Sequence, residues 1–364
     1  MRILLITSYK RNMLPYLEKY ENLLKKTDID YDILFWDRDK NHKLVNVDNE
    51  YIFGEKCSFG GDKISKLRKI LSYFTFRKNV KRLLEINSYD KVIVFNTLPA
   101  LFLIDVLLIK YKNNYIFDYR DYTYENLYMY KKAVNAIVNN SYFTAISSKG
   151  FLKFLKNEKK LIPNHNISNL ELKESIVKLK CNLPKITIGF LGLVRYENEN
   201  RIIIESLKNS DKYLLKYVGR IYDGCKLQQY CEQENIANVS FDGEFKNEDK
   251  GRLYNNIDII NAVYGNKTNE VKTALPNKLY DCLLFKKPMI VSNNTYLADV
   301  IEKYNLGIAI DLEKDSILEK LEHYIDEFDQ KLFIKKTEFL LKSVLEDERR
   351  FTDNVLKFLS KDKI

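Results

Sequence analysis

The sequence predicts an α/β protein of two successive Rossmann-like domains facing one another across a cleft, closed by a C-terminal helical segment. Three observations predict it. Short runs of branched and aromatic residues alternate with longer segments of helical period, the pattern of parallel sheets layered with helices. The alternation stops around Asn166–Pro184 and then begins again. After the second series, Leu332 to Leu359 reads as helix with no further strand. The expected organisation is a first domain over 1–170, a linker over 171–184, a second domain over 185–335, and a helical segment over 336–364.

In the first half the strand candidates are Ile3–Thr7, Tyr31–Trp36, Val92–Phe95, Tyr115–Asp118 and Phe143–Ile146. Between the first two, Leu14, Leu17, Tyr20, Leu23 and Leu24 recur at helical spacing. A Lys-rich stretch ending in Asn182-Leu183-Pro184 marks the linker. The second series runs Ile186–Leu191, Leu214–Val218, Val239–Phe241, Ile257–Asn261, Met289–Val291 and Ile308–Ile310. In such sheets ligands bind beyond the carboxyl ends of the strands, so residues just after each strand carry most weight.

With 364 residues, 45% hydrophobic and 30% charged, the chain has material for two cores. The apolar run Ile3 to Ile6 is too short for a signal-peptide core. Leu98 to Ile109 contains Asp105 and falls short of the roughly 20 residues a spanning helix needs. A cytosolic protein is therefore expected. Cys57, Cys181, Cys225, Cys231 and Cys282 form no CxxC pair and no zinc spacing, which points to reduced thiols. His42, His165 and His323 form no cluster, so no zinc or iron site and no cofactor are expected. The net charge of +10 is uneven. Residues 1–180 hold 32 Lys+Arg against 20 Asp+Glu, and the remainder 28 against 30.

The segment from Ala274 to Ser292 carries the strongest chemical signal. Pro276 suits the first turn of a helix, where its missing N–H would have no helical partner. Such a helix start offers free N–H groups and a positive dipole end to an anion. Asn277 stands at that start, Lys278 adds a full positive charge, and the Asp281 carboxylate lies one turn in, able to accept hydrogen bonds from a vicinal diol such as ribose. That geometry suits a nucleoside diphosphate. The alternative is a plain helix start with an acid near its positive end.

Here the chain resembles the retaining glycosyltransferases of GT-B fold (the family 4-like group), particularly the branch building bacterial capsular and cell-surface polysaccharides. Matching pieces follow in the family's order: Ile188 to Arg195, Tyr217 to Arg220, Val239 to Phe245, Leu253 to Ile259, and Pro276 to Ser292. The resemblance covers 186–311, and Ser147-Ser148 and Leu161 to Asn164 look like the family's approach to its linker. It implies that Asp281 stands where the family's second glutamate binds ribose. It places Gly243-Glu244-Phe245 beside the base, and lets the chain approach the diphosphate at Gly192, with Arg195 or Lys278 compensating its charge. Arg220 and Asn277 fall in matching segments and join the donor set. The chain departs from the pattern at Thr273, where the family has its first glutamate; Glu270 is the nearest acid. The family's arginine and lysine after the second domain's first strand would fall, without gaps, on Leu193 and Asn198, leaving Arg195 and Arg201 as substitutes.

Two similar constellations follow strands in the first half: Trp36-Asp37-Arg38-Asp39 and Asp118-Tyr119-Arg120-Asp121. An Arg–Asp pair can orient a sugar hydroxyl, and a carboxylate can act as base toward an acceptor. The alternative is loop salt bridges capping the sheet. Asp118, Arg120 and Asp121 are the stronger set because Tyr122, Tyr124 and Glu125 extend it. His165, beside Pro163-Asn164, reads as incidental. Lys56 to Arg82 carries nine basic residues (Lys56, Lys63, Lys66, Arg68, Lys69, Arg77, Lys78, Lys81 and Arg82) against one acid, Asp62. Ile64, Leu67, Ile70, Leu71 and Phe74 repeat there at helical spacing, with Tyr73 and Phe76 among the charges. A basic amphipathic helix of this kind can rest on an anionic membrane, which suits a lipid-linked acceptor. The alternative is an ordinary layer helix with a basic outer face. No recognition motif supports nucleic acid.

The reading these features support is metal-independent hexosyl transfer from a nucleotide diphosphate sugar, most often a uridine one in the family, to a glycan acceptor. Negative charge grows on the leaving diphosphate, so positive charge must be fixed there beforehand. No Asp-x-Asp cluster in the second half suits a divalent ion, and the work falls to Arg195, Lys278 and the helix start. Were the reaction inverting, Asp121 would be the base. Two other classes stay open: a nucleotide-sugar epimerase of the same architecture, and a non-catalytic basic module binding a membrane or polyanion.

Overall fold

The computed structural model describes residues 1–57, 65–167 and 185–360. The expected linker at 171–184 lies outside them, as do Cys181, Asp62, Lys63 and Ile64. The chain divides into two compact units, the first of Met1–Asn166 with Glu346–Ile364 and the second of Ile167–Leu345. No helix among the described residues is long and apolar enough to cross a membrane.

Unit 1 runs β1 (Arg2–Ile6), α1 (Leu17–Leu24), β2 (Asp30–Asp37), β3 (His42–Val47), β4 (Glu50–Gly54), α2 (Lys66–Ile86) and β5 (Lys91–Phe95). It continues through α3 (Thr97–Phe102), β6 (Tyr115–Tyr119), α4 (Tyr128–Asn140), β7 (Phe143–Ile146) and β8 (Leu161–Pro163). Eight strands form one sheet in the order β3-β4-β2-β1-β5-β6-β7-β8. Every neighbouring pair is parallel except β3 with β4. Strand residues point alternately to the two faces. In β1, Leu4 and Ile6 join the core that holds Trp36, Phe76 and Phe117, whereas Ile3 and Leu5 join the opposite one with Tyr20 and Phe95.

Unit 2 runs β9 (Ile186–Leu191), α5 (Glu197–Leu207), β10 (Tyr213–Val218), α6 (Leu227–Gln233), β11 (Val239–Asp242), α7 (Lys250–Asn255) and β12 (Ile259–Ala262). There follow α8 (Asn269–Thr273), α9 (Asn277–Phe285), β13 (Met289–Ser292), α10 (Tyr296–Tyr304), β14 (Gly307–Ile310) and α11 (Ile317–Asp326). Its six strands are all parallel in the order β11-β10-β9-β12-β13-β14. From β9 the chain first moves outward to β10 and β11, then returns to the other side of β9 for β12. The carboxyl ends of β9 and β12 therefore flank the point where strand order reverses, the place where such sheets leave a ligand crevice.

The last helix, α12 (Gln330–Leu359), begins in unit 2 and ends in unit 1. Its Phe351, Val355, Phe358 and Leu359 are buried in the unit 1 core with Ile3, Leu5 and Phe95. The parallel strands and this helix agree with the sequence expectation. Three strands do not appear in it. β3 and β4 form an edge hairpin turning at Asp48, whose φ of 54° is a turn conformation, and β3 is exposed at most positions. β8 is only three residues long and includes Pro163.

The sequence left open which face of α2 packs on the sheet. Its core face is Tyr73, Phe76, Val80, Leu83 and Leu84, all buried. Leu67, Ile70, Leu71 and Phe74 point outward. The aromatics among the charges are core residues: Trp36 stacks on Phe76 and meets Tyr73 edge-on.

Candidate functional site

At the carboxyl end of β9 the chain turns through Gly192, whose φ is +125°. The neighbouring strand β10 ends at Gly219, with φ of +136°. A Cβ on Gly219 would stand 2.1 Å from the Gly192 carbonyl oxygen, so the two turns touch backbone to backbone. A Cβ built on Gly192 would meet Lys278 Nζ at 3.9 Å and nothing nearer.

Lys278 lies in the first turn of α9, as expected, with Pro276 one position earlier than predicted, at the N-cap. Its side chain is only 6% exposed. The ammonium stands 3.6 Å from the Phe190 ring centroid and 5.1 Å from that of Tyr264, and it donates to the Tyr264 hydroxyl at 2.9 Å. Both rings belong to the strands flanking the reversal point, Phe190 within β9 and Tyr264 just beyond β12. Ser292, at the end of β13, fixes the Tyr264 backbone by accepting from the Tyr264 and Gly265 N–H groups at 3.1 and 2.8 Å. No carboxylate lies within ion-pair distance of Lys278 among the described residues. Burial lowers its pKa from 10.5 to about 7, opposed by Asp281 and reinforced by Lys250 and Arg195.

Asp281 sits one turn further along α9, 5% exposed. Its carboxylate accepts from Tyr254 Oη at 2.8 Å and from Lys250 Nζ at 3.0 Å, both residues of α7. The carboxylate expected to be open to a diol is thus already held by a cation and a phenol. Arg195 is exposed in the loop after β9, donating to the Tyr196 hydroxyl at 2.7 Å and lying 3.9 Å from Glu270. Tyr196 packs on Tyr264 at 4.8 Å, so Arg195, Tyr196, Tyr264 and Lys278 form one contiguous set. Asn277, Arg220, Gly243 and Glu244 are exposed, and Phe245 is half-buried against the core beneath α9. Arg201, the other substitute, lies instead over the Tyr230 ring at 3.7 Å.

In unit 1, Asp118 and Arg120 are a buried pair at the end of β6. Asp118 also accepts from Tyr20 Oη at 2.6 Å, and Arg120 donates to the Asn164 carbonyl and the Asn166 side chain. These contacts make the pair a brace for the chain at 164–166. Asp121, by contrast, is exposed. In the other constellation Lys10 bridges Asp37 and Asp39, while Arg38 is buried over the Trp36 ring and donates to the Tyr73 hydroxyl at 2.8 Å. His165 meets Asp347 of α12 at 3.2 Å, and its N–H donates to Glu348, which Lys19 also binds.

Arg68, Lys69 and Lys78 are exposed on α2. Arg77 is not a free surface cation: it binds Asp105 through both guanidinium nitrogens, at 2.5 and 2.7 Å. Nothing is described of the Lys66 side chain. Sequence reasoning missed Phe190, Tyr264, Lys250 and Tyr254. Each reads as a core residue or a surface charge until the topology brings it beside Lys278 or Asp281. The position of Tyr264, just past a strand end, was the available signal.

Two Rossmann-like units with parallel sheets and a shared C-terminal helix define the GT-B fold. Solved structures of this similarity include sucrose-phosphate synthase from Thermosynechococcus elongatus, at 12% identity and a TM-score of 0.67, over 98% of this chain and 97% of that one. The lipopolysaccharide outer core galactosyltransferase WaaB is similar at 14% identity and a TM-score of 0.65, over 98% and 99%. HepE of Anabaena in complex with UDP is similar at 12% identity and a TM-score of 0.68, over 98% and 100%. No protein-family model and no curated protein sequence matches the chain.

Proposed function

We propose that this protein is a glycosyltransferase that uses a nucleoside diphosphate sugar, with uridine as the base. The observation that carries the proposal is Lys278. A buried ammonium with no carboxylate partner faces the side-chain-free side of Gly192, at the point of unit 2 where strand order reverses. An anion arriving there meets a cation with no competing carboxylate among the described residues, at the first turn of α9. Arg195, exposed and bonded to the Tyr196 hydroxyl, adds a second cation. The complexes of HepE with UDP and with UDP-glucose support the choice of base.

In this reading the bond from the sugar's anomeric carbon to the diphosphate oxygen breaks while a bond to an acceptor hydroxyl oxygen forms. The acceptor proton passes to the departing diphosphate. Lys278 and Arg195 stabilise the charge that grows on it, in place of a divalent ion. Asp281, held by Lys250 and Tyr254, exchanges part of that hold for the ribose hydroxyls, and Gly243 to Phe245 lie beside the base. The resemblance over 186–311 extends the reading to a hexosyl donor, retention of configuration and bacterial surface-polysaccharide synthesis. The acceptor is a lipid-linked glycan held by unit 1, near Asp121, on the cytosolic side.

Thermal unfolding with UDP, GDP, ADP and CMP tests it. A ligand at about 100 times its dissociation constant stabilises the folded state by roughly 2.7 kcal/mol. The expected result is a shift with UDP that Lys278→Met abolishes. No shift with any of the four overturns the reading.

A further inference from the structure

We propose that Glu199 faces the sugar of the donor and restricts this site to uncharged sugars, rejecting uronic-acid donors. The inference rests on the nucleotide-sugar reading of the same site and names its substrate class. Glu199 lies half-buried in the first turn of α5. A Cβ on Gly265, whose φ is +76°, would stand 2.7 Å from Glu199 Oε1. The carboxylate therefore rests on the bare backbone of Gly265, in a space that a side chain there would fill. Among the described residues it accepts no hydrogen bond and forms no ion pair. Glu197, on the same turn, is engaged instead, accepting from the Lys226 N–H at 2.6 Å. An acid present only to favour a helix start needs no such approach to a facing backbone.

Both sides of this contact are fixed. Asn200, the residue after Glu199, is fully buried and accepts from Tyr217 Oη at 3.2 Å and Asn261 Nδ2 at 2.9 Å. Ser292 Oγ accepts the Gly265 N–H at 2.8 Å. Sheet order then sets the direction of the ligand. Across β11-β10-β9-β12 the chain presents Gly243, Gly219, Gly192 and Gly265 in turn, the first three directly after their strands. With the base beside Gly243 and the diphosphate at Gly192, the sugar extends toward Gly265 and Glu199.

A carboxylate repels a diphosphate, so the part of the donor that lies against Glu199 is the part offering hydroxyl groups. A hydroxyl donating to an ionised carboxylate makes a bond about twice as strong as a neutral one. Glu270 adds a second negative charge, exposed and 3.9 Å from Arg195. Burial raises the Tyr196 pKa against the opposing pull of Arg195, and Glu270 and Glu199 add to the rise, so both acids act at one phenol. Arg195 and Lys278 are taken up by the diphosphate. A uronate would bring a further carboxylate to the two already there, with neither cation left to meet it, and specificity follows from that repulsion.

Titration calorimetry tests the proposal with UDP, UDP-glucose, UDP-galactose, UDP-N-acetylglucosamine and UDP-glucuronate, on the native chain and on Glu199→Gln. At least one of the neutral donors should bind the native chain about tenfold or more tighter than UDP-glucuronate. Glu199→Gln should reduce that gap at least about threefold, because the amide still accepts a hydroxyl but no longer repels a carboxylate. Its thermal midpoint should match the native one, since Glu199 has no internal partner to lose, and UDP alone should bind both proteins alike. If UDP binds but the native gap is smaller, or Glu199→Gln leaves the gap in place, the proposal is overturned and the nucleotide reading stands. A native chain that binds none of the five overturns both.

Discussion

Lys278 donates to the hydroxyl of Tyr264 at 2.9 Å, and no carboxylate completes the arrangement. Asp281, three residues along the same helix, is engaged by Lys250 instead. The sequence puts two oppositely charged residues one turn apart, and the fold keeps them from pairing. One becomes a half-satisfied cation at a strand-reversal point, and the other an anchored anion behind it.

Lys278→Met should reduce transfer by a hundredfold or more, the scale expected when one preorganised donor to developing charge is removed. Folding should be preserved, since methionine occupies the same apolar slot between Phe190 and Tyr264 without a buried charge. Steady-state rates with a UDP-sugar, beside a urea melt of each protein, separate the two effects.

Stability should depend on pH through the same residue. The Lys278 pKa is lowered from 10.5 to about 7, so between those values the unfolded chain binds more protons than the folded one. Stability from this group therefore rises as pH increases through that window, and is lowest below pH 7 where the buried charge is retained. A bound diphosphate opposes the shift, so binding takes up a proton above pH 7 and weakens as pH rises further. The groups facing Lys278 are Asp281, Lys250, Arg195 and Tyr264. Urea melts across pH, compared with Lys278→Met, should show the slope only in the native protein.

Asp281→Ala should destabilise unit 2 by about 3 kcal/mol, because it leaves Lys250 and Tyr254 without their partner. Adding Lys250→Met should recover part of that loss, and a double-mutant cycle in urea reads the coupling. Loss of nucleotide binding in Asp281→Ala alone is therefore ambiguous; Asp281→Asn, which keeps the shape, is the sharper variant.

Gly219→Ala should be far more damaging than Gly192→Ala. The first drives a Cβ to 2.1 Å from a backbone oxygen at a φ of +136°. The second meets only the mobile end of Lys278, and its cost is confined to the φ of +125° and a crowded ligand side. Thermal midpoints should rank Gly219→Ala lowest, and nucleotide affinity should fall in both.

The alternation of strands and helices was legible because the parallel strands of both sheets are buried on two faces, which writes near-continuous apolar runs into the sequence. The hairpin of β3 and β4 was not, since an edge strand such as His42–Val47 has no buried face to impose a period. Gly192, Lys278 and Asp281 were legible as candidates because each follows a strand or lies in the first turns of a helix. Their partners were not: Phe190, Tyr254 and Tyr264 become neighbours only through sheet order. The outward face of α2 was not legible for a related reason. With apolar residues on two sides, its period does not say which side the sheet takes.

Exposure separates Asp121 from its buried neighbours Asp118 and Arg120. Arg120→Met should destabilise unit 1, because it strands Asp118 in the core and frees the chain at Asn164 and Asn166. Asp121→Asn should fold normally and change only acceptor turnover. Urea midpoints and transfer rates for the pair test this directly.

The central claim is that Lys278 receives the diphosphate, and titration calorimetry of UDP on either side of pH 7 addresses it most directly. The account predicts binding that is tighter on the acid side, with proton uptake on the alkaline side, and at least tenfold weaker in Lys278→Met. UDP binding equal in the two proteins, or absent from the native one, would contradict it.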